Sequence, residues 1–89
     1  MPDIPKQVGQ LDVKAEERGL VVEDPGRETV HYLNHTAGLV LILCDGQNSI
    51  QKITSLVQKQ FGMPEAPEED VMEIIEDFVK EGLVVLGSG

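Results

Sequence analysis

The chain has 89 residues, 40% of them hydrophobic, with 7 Lys+Arg against 16 Asp+Glu and a formal net charge of −9. That length suits one domain with one modest core, and the hydrophobic content excludes a wholly disordered chain. The excess of acid disfavours nucleic acid and anionic membrane surfaces, both of which are met with Lys and Arg.

Residues 1–10 hold Pro2, Pro5 and Gly9 with little periodicity and read as a flexible N-terminal arm. They lack the basic and then apolar pattern of a secretory signal. From residue 11 the pattern is β-like. Leu11, Val13 and Ala15 alternate with Asp12, Lys14 and Glu16, which predicts a half-buried strand. A turn at Glu17-Arg18-Gly19 leads into a short β-branched strand, Leu20-Val21-Val22-Glu23. Asp24-Pro25-Gly26 is a second turn, because Pro presets φ and Gly tolerates positive φ. Residues 28–33 form a third strand, and the two tight connections imply an antiparallel three-stranded meander.

At Asn34 the period changes. Asn34 or Thr36 can cap a helix whose apolar positions are Ala37, Val40, Leu41 and Cys44, closed by Asp45-Gly46. Its apolar core, residues 39–44, is far too short to span a bilayer. Asn48 or Ser49 opens a second helix with Ile50, Ile53, Val57 and Phe61 on one stripe and Gly62 at its end. Pro67 or Glu68 opens a third, with acids in its first turn and an apolar stripe (Val71, Ile74, Ile75, Phe78) broadened by Met72 and Val79. Gly82 ends it. Residues 83–86 are a short strand or a tail packed on the core, and residues 87–89 read as a linker or artificial tail. With only Tyr32, Phe61 and Phe78 as aromatics, the core has to be aliphatic. The fold class is α+β, in the order β-β-β-α-α-α with a possible terminal strand.

No catalytic constellation emerges. His31 and His35 lack a third ligand at a recognised metal spacing and read as surface and helix-start residues. Cys44 is the single cysteine, which excludes an internal disulfide framework and fits a reducing cytoplasm. A catalytic thiol needs a base and positive surroundings, whereas Asp45 follows Cys44 directly, so a small buried hydrophobe is the better reading. Residues 65–81 hold eight acids and one base (Lys80), a net of −7 out of −9. Such a cluster is first a solvated face and second a means of steering a basic partner. No enzyme activity, metal or cofactor is expected. A meander edge beside a helix with an overly wide apolar stripe suits strand addition, in which an extended peptide joins the sheet and pockets read alternate side chains.

Five fragments fall in one order and spacing: Tyr32-Leu33-Asn34-His35-Thr36-Ala37, Leu43-Cys44-Asp45-Gly46, Ser49-Ile50, Asp70-Val71 and Gly82-Leu83-Val84. In that pattern the sequence resembles the PqqD family, whose members are also known as RiPP recognition elements. The resemblance covers about residues 11–86, which define the expected peptide-binding domain. It implies a winged helix-turn-helix-like fold, a three-stranded antiparallel sheet followed by three helices. It further implies a non-catalytic peptide chaperone that binds the leader of a ribosomally synthesised precursor by β-strand addition. Backbone groups of Thr29, Val30, His31, Tyr32 and Leu33 would hold the leader. Met72, Ile75, Glu76 and Val79 on the third helix would supply the opposite wall. The implied partners are the precursor peptide and a maturation enzyme, such as a radical S-adenosylmethionine protein or a leader peptidase.

Two other classes stand beside that one. A winged-helix DNA-binding regulator shares the fold class but needs a basic recognition helix, and here the second helix offers only Lys52 and Lys59 while the third is acidic. A structural scaffold subunit would use the acidic helix to hold enzymes together. Gel shifts with duplex DNA at low salt separate the first, and peptide titration against residues 29–33 separates the second.

Overall fold

A computed structural model describes residues 3–88. The elements are β1 (Asp3–Gln7), β2 (Asp12–Glu16), β3 (Gly19–Asp24), β4 (Thr29–Asn34), α1 (His35–Leu43), α2 (Ile50–Phe61), α3 (Glu68–Lys80) and β5 (Val84–Ser88). Strands β2, β3 and β4 form an antiparallel sheet in that order, and three helices follow, as the residue pattern predicts.

The N-terminal segment corrects the expectation of an arm. Residues 3–7 are a strand, paired antiparallel with β5 in a second, two-stranded sheet. Pro5 is buried and its carbonyl accepts the Gly46 N–H at 3.0 Å. Gln7 donates its backbone N–H to the Cys44 carbonyl at 2.9 Å and its side-chain Nε2 to the Leu41 carbonyl at 2.9 Å. The segment thus satisfies the Cys44 carbonyl at the end of α1 and gives the Leu41 carbonyl a second donor beside the Cys44 N–H. Gly87 and Ser88 likewise belong to β5 rather than to a tail, while Met1, Pro2 and Gly89 lie outside the described residues.

A second correction concerns β2, which is exposed along its whole length instead of half-buried. Its alternation is real, but the strand is a sheet edge whose Ala15 borders an open cleft of about 370 Å³ in front of α1 and α2. Helix α1 packs against β3 and β4, so Val13 stays uncovered while its partner Val22 is fully buried.

Each helix start has a physical cause. The Asn34 side chain accepts the Ala37 N–H at 2.8 Å, so Asn34 rather than Thr36 caps α1. Ser49 does the same for α2 through Lys52 N–H at 3.1 Å. Helix α3 begins after Pro67 with Glu68, Glu69 and Asp70 in its first turn. Helix α1 lies close on the sheet because Gly38 has no side chain: a Cβ there would come within 2.9 Å of Leu20 Cγ.

The core joins every layer. Val22, Val40, Leu41, Cys44, Ile53, Val57, Val71, Ile75, Phe78, Leu83 and Val84 form one buried cluster. It is aliphatic apart from Cys44 and Phe78. Helix α3 ends in a left-handed Gly82 (φ 74°), with Leu83 N–H donating to the Phe78 carbonyl at 2.8 Å and Gly82 N–H to that of Val79 at 3.1 Å. The buried pair Phe78 and Leu83 supplies the apolar contact that goes with this kind of helix end. The Arg27 guanidinium lies against Gly82 and donates to the Glu81 carbonyl at 3.4 Å, so the β3–β4 hairpin meets the negative end of α3.

Gly82→Ala forces a side chain into the left-handed region and against Arg27. It is expected to cost about 1–2 kcal/mol and to lower the melting temperature by about 4–8 °C per kcal/mol. Gly9→Ala, which meets nothing within 4 Å, should leave thermal unfolding unchanged.

Candidate functional site

The three-stranded sheet has two edges, and they differ in chemistry. The β2 edge carries Asp12, Lys14 and Glu16 in five residues. Charged residues of this kind protect an edge against pairing with another chain. The β4 edge, Thr-Val-His-Tyr-Leu-Asn, has no acid, Lys or Arg. Every second residue of an edge strand aims its N–H and C=O away from its neighbour, so β4 offers unpaired backbone groups along an uncharged strand.

A groove of about 400 Å³ runs beside that edge, between β4 and α3. Val30, His31, Tyr32 and Leu33 form one side. Ile74, Asp77, Phe78 and Glu81 form the other, with Ala37 and Leu83 also lining the groove. Phe78 and Leu83 are 4% and 1% exposed, so the lining rests on the core itself. Asp77 and Glu81 add carboxylates on the helix side. His31 Nε2 and Thr29 Oγ1 are 3.2 Å apart and share one hydrogen bond along the strand.

The β4 residues named from the sequence therefore come together, four of them in the groove and Thr29 next to it on the same strand. The helix residues do not. Ile75 is a core side chain, 1% exposed. Met72 and Glu76 face a different cleft, about 770 Å³ between α2 and α3, together with Glu68, Glu69, Asp70 and Glu73. Val79 is 40% exposed and lines neither space. The expected set (72, 75, 76, 79) and the observed one (74, 77, 78, 81) share one helical spacing. They are offset by two residues, which is about 200° around the axis. Sequence pattern marks Ile74 and Phe78 as apolar but cannot say which side of the stripe meets β4. Asp77 and Glu81 carry no apolar signal at all.

The two histidines lie on different elements, and among the described residues no three His, Cys, Asp or Glu side chains come close enough to hold a metal ion. Cys44 is buried. Burial first, and then the neighbouring Asp45 carboxylate, pushes its thiol from the ordinary 9.0 up to about 12. A thiol held protonated so far above neutral pH is a poor nucleophile. Among the described residues no helix is long and apolar enough to cross a membrane.

The sequence profile of the family described as Coenzyme PQQ synthesis protein D (PqqD) matches residues 19–84, from β3 to the start of β5. The chain belongs to the PqqD family. This is the family of RiPP recognition elements, non-catalytic accessory domains that serve pyrroloquinoline quinone and ribosomal-peptide biosynthesis beside the enzymes of those pathways. Strands β1 and β2 lie outside the matched stretch. No match was found among curated proteins or among solved structures.

The Cys44 shift has a measurable consequence. The unfolded thiol ionises near pH 9 while the folded one keeps its proton to about pH 12. Within that window the unfolded state binds fewer protons, so this thiol lowers stability as pH rises from 9 towards 12. Denaturant midpoints should fall more steeply over that range in the native protein than in Cys44→Ala. Equal slopes would show that the thiol is not held in its protonated form.

Proposed function

We propose that this domain is a non-catalytic peptide chaperone. It takes the extended leader of a ribosomally synthesised precursor as an added strand, antiparallel along β4, and presents the precursor to a modifying enzyme. The observation that carries this reading is the pairing of an uncharged, open strand edge with an apolar groove. Backbone groups of β4 hold the leader whatever its sequence, and the groove reads every second side chain, spaced about 6.7 Å apart along the strand. Ordering a flexible leader costs about 2–5 kcal/mol. Apolar anchors over Ile74, Phe78 and Leu33 offset that cost.

The enzyme that receives the peptide is of the radical S-adenosylmethionine or leader-peptidase kind. The single cysteine, kept reduced, fits a cytoplasmic setting for the exchange. A DNA-binding role draws no support from the surface: the α2–α3 cleft where a recognition helix would meet DNA is lined by five carboxylates and no Lys or Arg.

The test is titration with a synthetic leader of the precursor encoded beside the gene. Amide shifts should concentrate on Thr29, Val30, His31, Tyr32 and Leu33. Ile74→Asp should weaken binding at least tenfold, about 1.4 kcal/mol or more, while Val79→Asp, outside the groove, should bind as the native protein does. Loss on Val79→Asp with none on Ile74→Asp would move the site to another face. The Asp77 and Glu81 carboxylates should also speed association of a leader bearing Lys or Arg as salt is lowered. A rate insensitive to ionic strength would leave these acids as solvated surface.

A further inference from the structure

The groove reads only one face of an added strand. Alternation divides the sheet into two faces. Leu20 and Val22 of β3, with their partners Leu33 and His31 of β4, point to the helix side, where Val22 is fully buried. Val30 and Tyr32 border the groove along the strand rim, but alternation sends their side chains to the outer face. They are 50% and 78% exposed, and Tyr32 is the protein's only tyrosine.

The rest of that outer face is unlike its β4 margin. Going inward from the edge, Val30 is followed by Glu23 and then Asp12, and Tyr32 by Val21 and then Lys14. Apolar side chains are thus grouped at the open edge, and charge lies further in. Val21 is nearly covered at 9% exposure, whereas among the described residues no strand pairs with β4 on the open side of Val30 and Tyr32.

Any strand that pairs with β4 lies about 4.8 Å away. Its outward side chains then stand directly opposite or diagonal to Val30 and Tyr32, with Cβ separations of about 4.5–5.5 Å for direct pairs. Among the described residues no other strand occupies that position.

We propose that Val30 and Tyr32 are a second reading surface for the bound strand, so that the ligand is apolar on both faces. It carries groove-filling residues at inward positions and aromatic or β-branched residues at the outward positions beside Tyr32 and Val30. The ligand class is a continuous apolar run of about four or five residues, not an alternating polar–apolar strand. This inference rests on strand addition at β4 and specifies what such a strand must contain.

The test uses random twelve-residue peptides displayed on phage, selected against the native protein and against Tyr32→Ser. Peptides enriched on the native protein are synthesised and alanine-scanned on both proteins. Two period-two sets of positions should emerge. One set, the inward one, should lose affinity equally on both proteins. The other should lose about two- to fivefold on the native protein and nothing on Tyr32→Ser. Val30→Ser serves as an independent variant if Tyr32→Ser unfolds.

Peptides that shift β4 amides but show no dependence on Tyr32 or Val30 would overturn the second surface and leave strand addition standing. Selected peptides that leave the β4 amides unmoved, or failure to select any, would overturn both.

Discussion

Val71, Ile75 and Phe78 are buried on one side of α3, and their burial fixes the rotation of that helix about its axis. Removing a side chain such as Phe78 would cost about 3–5 kcal/mol, so few rotations compete with the observed one. Once that angle is set, Ile74, Asp77, Phe78 and Glu81 face β4, and Met72 and Glu76 face α2. The turn at Gly82 and the Arg27 contact with the Glu81 carbonyl hold the far end of the helix against the β3–β4 hairpin. The groove is the space this seating leaves between helix and strand.

The open edge is a different kind of feature. An unpaired strand edge invites aggregation, and this sheet treats its two edges differently. Strand β2 is laced with charge, and β4 is not. The contrast gives the sheet a single receptive side, where α3 supplies an apolar wall beside the strand edge. Residues 3–7, meanwhile, pair with β5 and bond to the end of α1.

Charge is distributed with the same asymmetry. Most of the net −9 lies between residues 65 and 81. The fold splits that cluster between two surfaces, since Glu68, Glu69, Asp70, Glu73 and Glu76 border the α2–α3 cleft while Asp77 and Glu81 border the groove. Only the last two are placed to act on a strand lying along β4. The remainder keep the other face of α3 unfavourable for polyanions.

Much of the fold was legible residue by residue. A turn after Asp24, β-branched runs, Asn34 and Ser49 as caps and Gly62 and Gly82 as stops are local signals, because each depends on neighbours in sequence, although the positive φ of that turn falls on Glu28 (φ 54°) and not on Gly26. The strand half of the candidate site was legible for the same reason: an apolar, uncharged run after a turn is visible without knowing the fold. Three things were not. Residues 3–7 have no period of their own, and they form a strand only because β5 and the end of α1 are there to take their hydrogen bonds. Val13 and Ala15 alternate as a half-buried strand would, yet β2 stays exposed, with Ala15 on an open cleft in front of Leu39, Ile42 and Phe61. The helix wall of the groove was misplaced by about half a turn of α3. A wide apolar stripe leaves rotation undetermined until Ile75 and Phe78 find the core. The amino-acid sequence by itself determined the elements, their order and the uncharged strand, since those follow from local conformational preference. Tertiary structure alone decided which face of α3 meets that strand, because helix rotation is set by packing against residues distant in the chain.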